Sequence, residues 1–171
     1  MKIIECVPNF SEGNDLTIIN LIADSIKSIS GITMLDIDPG IDTNRTVMTF
    51  VGSPDDVIEA AFKGIKKATE LIDMRAHSGA HSRMGATDVC PIVPISNISM
   101  EECVQHSRTL AERVGNELNI PIFLYEESAV IKKRKNLANI RSGDFEGMVE
   151  KLNKPEWKPD YGPANDINQQ V

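Results

Sequence analysis

Hydrophobic and polar positions divide the chain into short alternating elements. Residues 3–7 form a short β-like run that stops at Pro8-Asn9. After a turn at 10–14, Leu16, Ile19, Ile22, Ala23 and Ile26 recur at three- and four-residue steps, which predicts an amphipathic helix. Gly31 is placed to end it, since glycine suits the left-handed conformation after a helix. Residues 32–38 then alternate in strand fashion, Pro39-Gly40 signals a turn, and 45–51 predict a second strand across a hairpin-like connection. Ser53 and Pro54 mark the next helix start, and Val57, Ala60, Ala61, Ile65, Ala68 and Leu71 share one face.

Residues 77–88 interrupt this pattern, with Met84 as their one large hydrophobe. A strand at 89–95 follows, demoted by Pro91 and Pro94 to an edge strand or one with a bulge. Ser99 and Glu102 have the spacing of a capping box for a helix to about residue 118. Residues 120–125 predict a further strand and 145–152 a short helix. The order strand, helix, strand, strand, helix, strand predicts an α+β fold. It is the ferredoxin-like (split βαβ) arrangement, a mostly antiparallel sheet with helices on one face, here with an extra helix and strand. Residues 1–125 form the expected core and 126–171 an extension ending in a polar tail.

Composition narrows the setting. At 171 residues the chain suits one domain with a sizeable core. A net charge of −7 argues against nucleic acid and anionic membrane surfaces as partners. Three cysteines in apolar surroundings read as reduced thiols, which fits a cytoplasmic location, and no run is long enough to span a bilayer.

The candidate chemistry gathers in 77–88, which carries His77, His81, Arg83 and Asp88 with Gly79 and Gly85. A segment without a core of its own, between two elements that have one, is commonly a loop held up for function. The two histidines have metal-like spacing. Ser78, however, stands where a zinc-protease pattern has glutamate, and Gly79 disfavours a helix, so no metal is expected. His77 reads as a hydrogen-bonded loop histidine. His81 is the better proton-transfer candidate, because Arg83 and Asp88 stand near to fix its tautomer and the two glycines let backbone approach a ligand.

Asp38 suits turn chemistry and ligand display equally, whereas Asp36 suits the turn. Asn44 and Arg45 open the second hairpin strand, and Asn9 lies in a stretch that is either a binding loop or a helix cap. Arg141 is a better anion contact than Lys132 to Lys135, which read as a solvated cluster. Cys90 reads as a structural thiol.

Several blocks together resemble a known family. They are Glu5-Cys6-Val7-Pro8-Asn9-Phe10-Ser11-Glu12-Gly13, Thr43-Asn44-Arg45-Thr46, Thr49-Phe50-Val51-Gly52, and Ile72-Asp73-Met74 with the histidine loop through Cys90-Pro91. Ile140-Arg141-Ser142-Gly143 and Pro159-Asp160-Tyr161-Gly162-Pro163 extend the match over nearly the whole chain. The sequence is similar to glutamate formiminotransferase (formimidoyltransferase), N-terminal subdomain, which also occurs fused to a cyclodeaminase.

That resemblance implies transfer of a formimino group from N-formimino-L-glutamate to N5 of tetrahydrofolate, in histidine and one-carbon metabolism. It implies tetrahydrofolate as co-substrate, a C-terminal formiminotransferase subdomain that completes the folate groove, and a homodimer. By the same resemblance His81 is catalytic, Asp38, an acid lining the groove, is the second catalytic residue, and a folate-contacting segment falls on residues 162–171, with Gly162 and Pro163 at its start. Asn9, Asn44, Arg45, Arg83 and Arg141 are the remaining candidates for substrate or folate. The alternative is a non-catalytic folate-binding or assembly protein of the same fold.

Overall fold

The computed structural model describes residues 1–165, 168, 170 and 171. It is an α+β architecture built on an antiparallel sheet. β1 (Ile3–Cys6) and β2 (Asn9–Phe10) lie along one edge of β4 (Arg45–Gly52), and β3 (Ile32–Gly40) pairs with its other edge. β5 (Thr87–Val89) pairs with β2, and β6 (Ile92–Ser96) pairs with β1.

Each of these broken strands is interrupted at a proline, which has no N–H for the ladder. Pro8 separates β1 from β2, and Pro91 separates β5 from β6. The carbonyls at the breaks remain paired: Met48 N donates to Pro8 O at 3.0 Å, and Val7 N to Pro91 O at 3.2 Å. The edge strand expected at 89–95 is therefore present as two pieces, with register shifts on both.

Three long helices carry the core: α1 (Leu16–Lys27), α2 (Pro54–Leu71) and α3 (Met100–Glu117), with α2 packed between the other two. Ile22, Ala23 and Ile26 of α1 and Val57, Ala60 and Ala68 of α2 are fully buried with Ile4, Cys6, Met48 and Phe50 of the sheet. Each such large apolar side chain stabilises the fold by roughly 1.5–3 kcal/mol. Alternation sends Glu5, Val47, Thr49 and Val51 to the opposite face, where they stay partly accessible.

The helix starts follow from short-range chemistry. Asp15 accepts from the amides of Thr17 and Ile18, Ser53 caps α2 with Pro54 in its first turn, and Ser99 and Glu102 close a capping box on α3.

Four expectations are corrected. α1 ends at Ser28, before Gly31, and Gly31 serves close packing instead: a Cβ there would lie 2.1 Å from the Asp56 carboxylate. Pro39 and Gly40 belong to β3, so the hairpin turn falls on 41–44. Residues 120–125 are not a sheet strand. They make a lone bridge, Ile122 to Tyr161, because Pro121 lacks an N–H and the Leu124 amide is taken by the Asp160 carboxylate at 2.8 Å.

The basic run at 132–135 is not wholly solvated. Arg134 is 2% exposed, packed over the rings of Phe123 and Trp157, with Nη1 3.0 Å from Asp160 and Nη2 donating to the carbonyls of Glu156 and Lys158. It anchors the extension, which holds the short helices α4 (Leu137–Arg141) and α5 (Met148–Leu152). No helix among the described residues is long and apolar enough to cross a membrane.

Candidate active site

Asn44, the last residue of the hairpin turn, takes a positive φ of 47°, a conformation that asparagine tolerates better than most side chains. From there its side chain joins three segments. Oδ1 accepts from Gly13 N at 2.9 Å and from Asn14 Nδ2 at 2.8 Å, while Nδ2 donates to Ser78 O at 2.9 Å. Its backbone carbonyl accepts from His77 Nε2 at 2.9 Å. The histidine loop thus lies against the hairpin turn. A Cβ on Gly79 would meet Thr43 O at 2.4 Å, so this glycine admits the turn and not a ligand as the sequence suggested.

The other half of the loop is fastened through Arg83. Its Nε donates to His77 Nδ1 at 3.0 Å, and its two terminal nitrogens grip Glu146 at 2.9 and 2.6 Å. Both ring nitrogens of His77 are consequently used within the protein. The Arg83 guanidinium, a candidate for substrate, is spent on Glu146, whose carboxyl it holds below the ordinary glutamate range. Ser82 contacts Asp144, and Ser11 Oγ donates to Gly85 O at 2.7 Å.

These fastenings present a charged cluster. Asp88, with no exposed side-chain surface, accepts from Arg45, from Arg141 Nη2 at 2.6 Å and from the Met84 amide at 2.9 Å. Arg45 is aimed by Asn9, whose Oδ1 accepts from Nε at 3.0 Å while its Nδ2 donates to Val7 O. Two guanidiniums on one carboxylate leave a net positive charge. Arg141 Nε is buried without a hydrogen-bond partner among the described residues.

Half-buried His81 stands at this cluster, with Nδ1 3.3 Å from Arg45 Nη1. The same nitrogen is 2.5 Å from Ser82 O, which only accepts, and Arg45 Nη1 is engaged by Asp88, so the proton is assigned to Nδ1. Nε2 is then left with its lone pair and makes no hydrogen bond to a described residue. The arrangement offers a base beside fixed positive charge, suited to taking a proton near an anionic ligand.

The structure brings Asn9, Arg45, His81 and Arg141 together around Asp88. Arg83 and Asn44 buttress them from the side. Asp38 stands apart: it pairs across β3 and β4 with Val47, which pairs with Asn9, and its exposed carboxylate bonds to no described residue. Val47 neighbours both, so Asp38 shares the accessible sheet face with Asn9.

Gly162 packs elsewhere, with φ of +81° and the site of a Cβ 2.0 Å from Ile120 O, beside Gly115 of α3. Pro163 follows it. The chain later returns to the loop base, where Met74 N donates to Gln170 O at 2.8 Å and Val171 faces Gly85. Asp166, Ile167 and Gln169 of the expected folate segment lie outside the described residues. Glu146 and Asp144 were missed, since partners 62 and 63 residues away leave no local pattern.

Residues 3–170 match the model of the formiminotransferase domain, N-terminal subdomain. The chain belongs to this family. It is 54% identical over 166 residues to a formimidoyltransferase-cyclodeaminase of Dictyostelium discoideum, covering 97% of this chain and 31% of the relative. It is 53% identical over 161 residues to a glutamate formimidoyltransferase of Streptococcus pyogenes, covering 94% and 54%. A glutamate formimidoyltransferase of Thermoplasma acidophilum is 47% identical over 166 residues, covering 96% and 55%. This formiminotransferase subdomain therefore spans about half the length of the two transferases and about a third of the bifunctional relative.

Proposed function

We propose that this chain is the histidine-bearing half of a glutamate formimidoyltransferase, moving a formimino group from N-formimino-L-glutamate to N5 of tetrahydrofolate. The observation that carries this reading is the free Nε2 of His81 beside the Arg45–Asp88–Arg141 cluster in a chain of this family. As N5 attacks the amidine carbon, Nε2 takes the N5 proton and the new N5–carbon bond forms. The carbon–nitrogen bond to glutamate then breaks, and the imidazolium returns its proton to the departing nitrogen. Imidazole suits both steps because its ordinary titration range lies near neutrality.

Arg45 and Arg141 supply fixed positive charge for glutamate carboxylates, with Asn9 and Asp88 setting their direction. Asp38 lines the accessible sheet face toward the folate, and Gly162 and Pro163 lead the tail back toward the histidine loop. Tetrahydrofolate is the co-substrate, and histidine degradation and one-carbon metabolism are the setting. A C-terminal formiminotransferase subdomain closes the groove over the accessible face, and the assembly is a cytoplasmic homodimer.

The strand order supports a ferredoxin-like reading. With each proline-broken strand counted once, the rows run β3, β4, β1 with β2, and β6 with β5, all antiparallel. The test is turnover of formiminoglutamate with tetrahydrofolate by this chain mixed with its complementary subdomain. Formation of 5-formiminotetrahydrofolate by the mixture supports the reading. Folate binding without product points to the non-catalytic alternative.

A further inference from the structure

A second concave site lies on the extension. Lys133, Lys151 and Lys154 line a cavity of about 320 Å³ with Asn139, Ser142, Trp157 and one carboxylate, Glu150. Lys133 Nζ and Lys151 Nζ stand 5.0 and 4.7 Å from the centre of the Trp157 ring. Lys151 is 8% exposed and gives one hydrogen bond to Ile140 O at 2.5 Å, so an ammonium group is held almost wholly inside the protein. Burial pushes it below the ordinary lysine range, with Lys133 and Lys154 adding to that push against the opposing pull of Asp144.

Negative charge nearby is sparse. Lys154 pairs with Glu150 at 3.0 Å, and neither Lys133 nor Lys151 forms an ion pair with a described carboxylate. Three lysines converge with the single carboxylate of Glu150 on one cavity, a net positive lining in a chain whose net charge is −7. Gathering cations in excess of their counter-charge costs free energy, more so where one is buried. An anion in the cavity would relieve that repulsion, and the fixed Lys151 head group and the Trp157 face would order it.

We propose that this cavity binds a multivalent anion, phosphate or carboxylate, through Lys133, Lys151 and Lys154 beside Trp157. The site is separate from the His81 cluster but one short turn away, since Arg141 and Asp144 flank the lining residues Ser142 and Gly143. This does not rest on the transfer reaction.

Trp157 is the one tryptophan in the chain, so its emission reports the cavity directly. The whole chain is titrated with pyrophosphate and, separately, with citrate, at ionic strength held constant with sodium chloride; calorimetry runs in parallel. A saturable emission change with matching heat is expected for at least one of them, and whichever binds identifies the phosphate or carboxylate source. The surface variant carrying Lys133→Gln and Lys154→Gln, checked for its fold by circular dichroism, should bind at least about tenfold more weakly. No saturable response to either anion by either method would overturn the proposal. So would unchanged affinity in the double variant, or in both single variants should the double one not fold.

Discussion

Asp88 is the residue on which both site arginines close, and its carboxylate has no access to water. Replacing it with asparagine would leave Arg45 and Arg141 facing each other without their counter-charge. Asp88→Asn is therefore expected to lose about 3–5 kcal/mol of stability in urea unfolding, and a loss under about 1 kcal/mol would show that water or another group already neutralises the pair. The sequence set His81 above His77 on the ground that Arg83 and Asp88 would fix its tautomer, but Arg83 bonds to His77 and Asp88 to Arg45 and Arg141. What separates the two histidines is that Asn44 and Arg83 consume both nitrogens of His77, and Ser82 only a single nitrogen of His81.

Arg83 looked available for substrate because its partner, Glu146, is remote in sequence. That pair also sets a pH dependence. Glu146 titrates below its ordinary value when folded, so its contribution is present above the unfolded pKa and disappears as pH falls through the folded one. Wild type should exceed Glu146→Gln in stability at neutral pH, with the gap closing in acid below the ordinary glutamate range. A gap independent of pH would remove Glu146 ionisation as its cause.

Helices and their caps were the most legible elements, because a stripe of apolar residues and a serine three positions before an acid act over one turn. Strand pairing was partly legible: Pro91 and Pro94 announced an interrupted edge strand. Residues 120–125 misled because an apolar run records burial and not the ladder partner, and their partner is Tyr161. Arg134 misled similarly, since a run of basic residues hides the one side chain that enters the interior.

Two substitutions probe these elements. Gly79→Ala forces a Cβ into the Thr43 backbone, and overpacking of this kind costs about 1–3 kcal/mol. Faster hydrogen exchange at Asn44 and Ala80 should accompany it; unchanged exchange would mean that the loop does not rest on the turn. Arg134→Ala leaves Asp160 without its cation, so exchange should rise through 122–160 while α1 and α2 stay protected. Uniform change across the chain would contradict its role as a local anchor.

At the scale of the molecule, the sheet is sealed by helices on one side and accessible on the other. Val93 and Ile95 of β6 and Leu35 at the bulge in β3 are exposed by 37, 53 and 56%. Apolar surface of this kind favours association. Sedimentation should show the isolated chain self-associating at high concentration and moving to a defined complex when the complementary subdomain is added. A chain monomeric under all conditions would argue against a covered sheet face.

The claim on which the rest depends is that His81 moves the proton during transfer. Its most direct measurement is the turnover of formiminoglutamate and tetrahydrofolate by the complete assembly, with His81→Ala compared to wild type. Loss of a general acid–base group is expected to lower kcat by about 10²–10⁴-fold while folate binding stays intact. Full turnover by the His81→Ala assembly would contradict it.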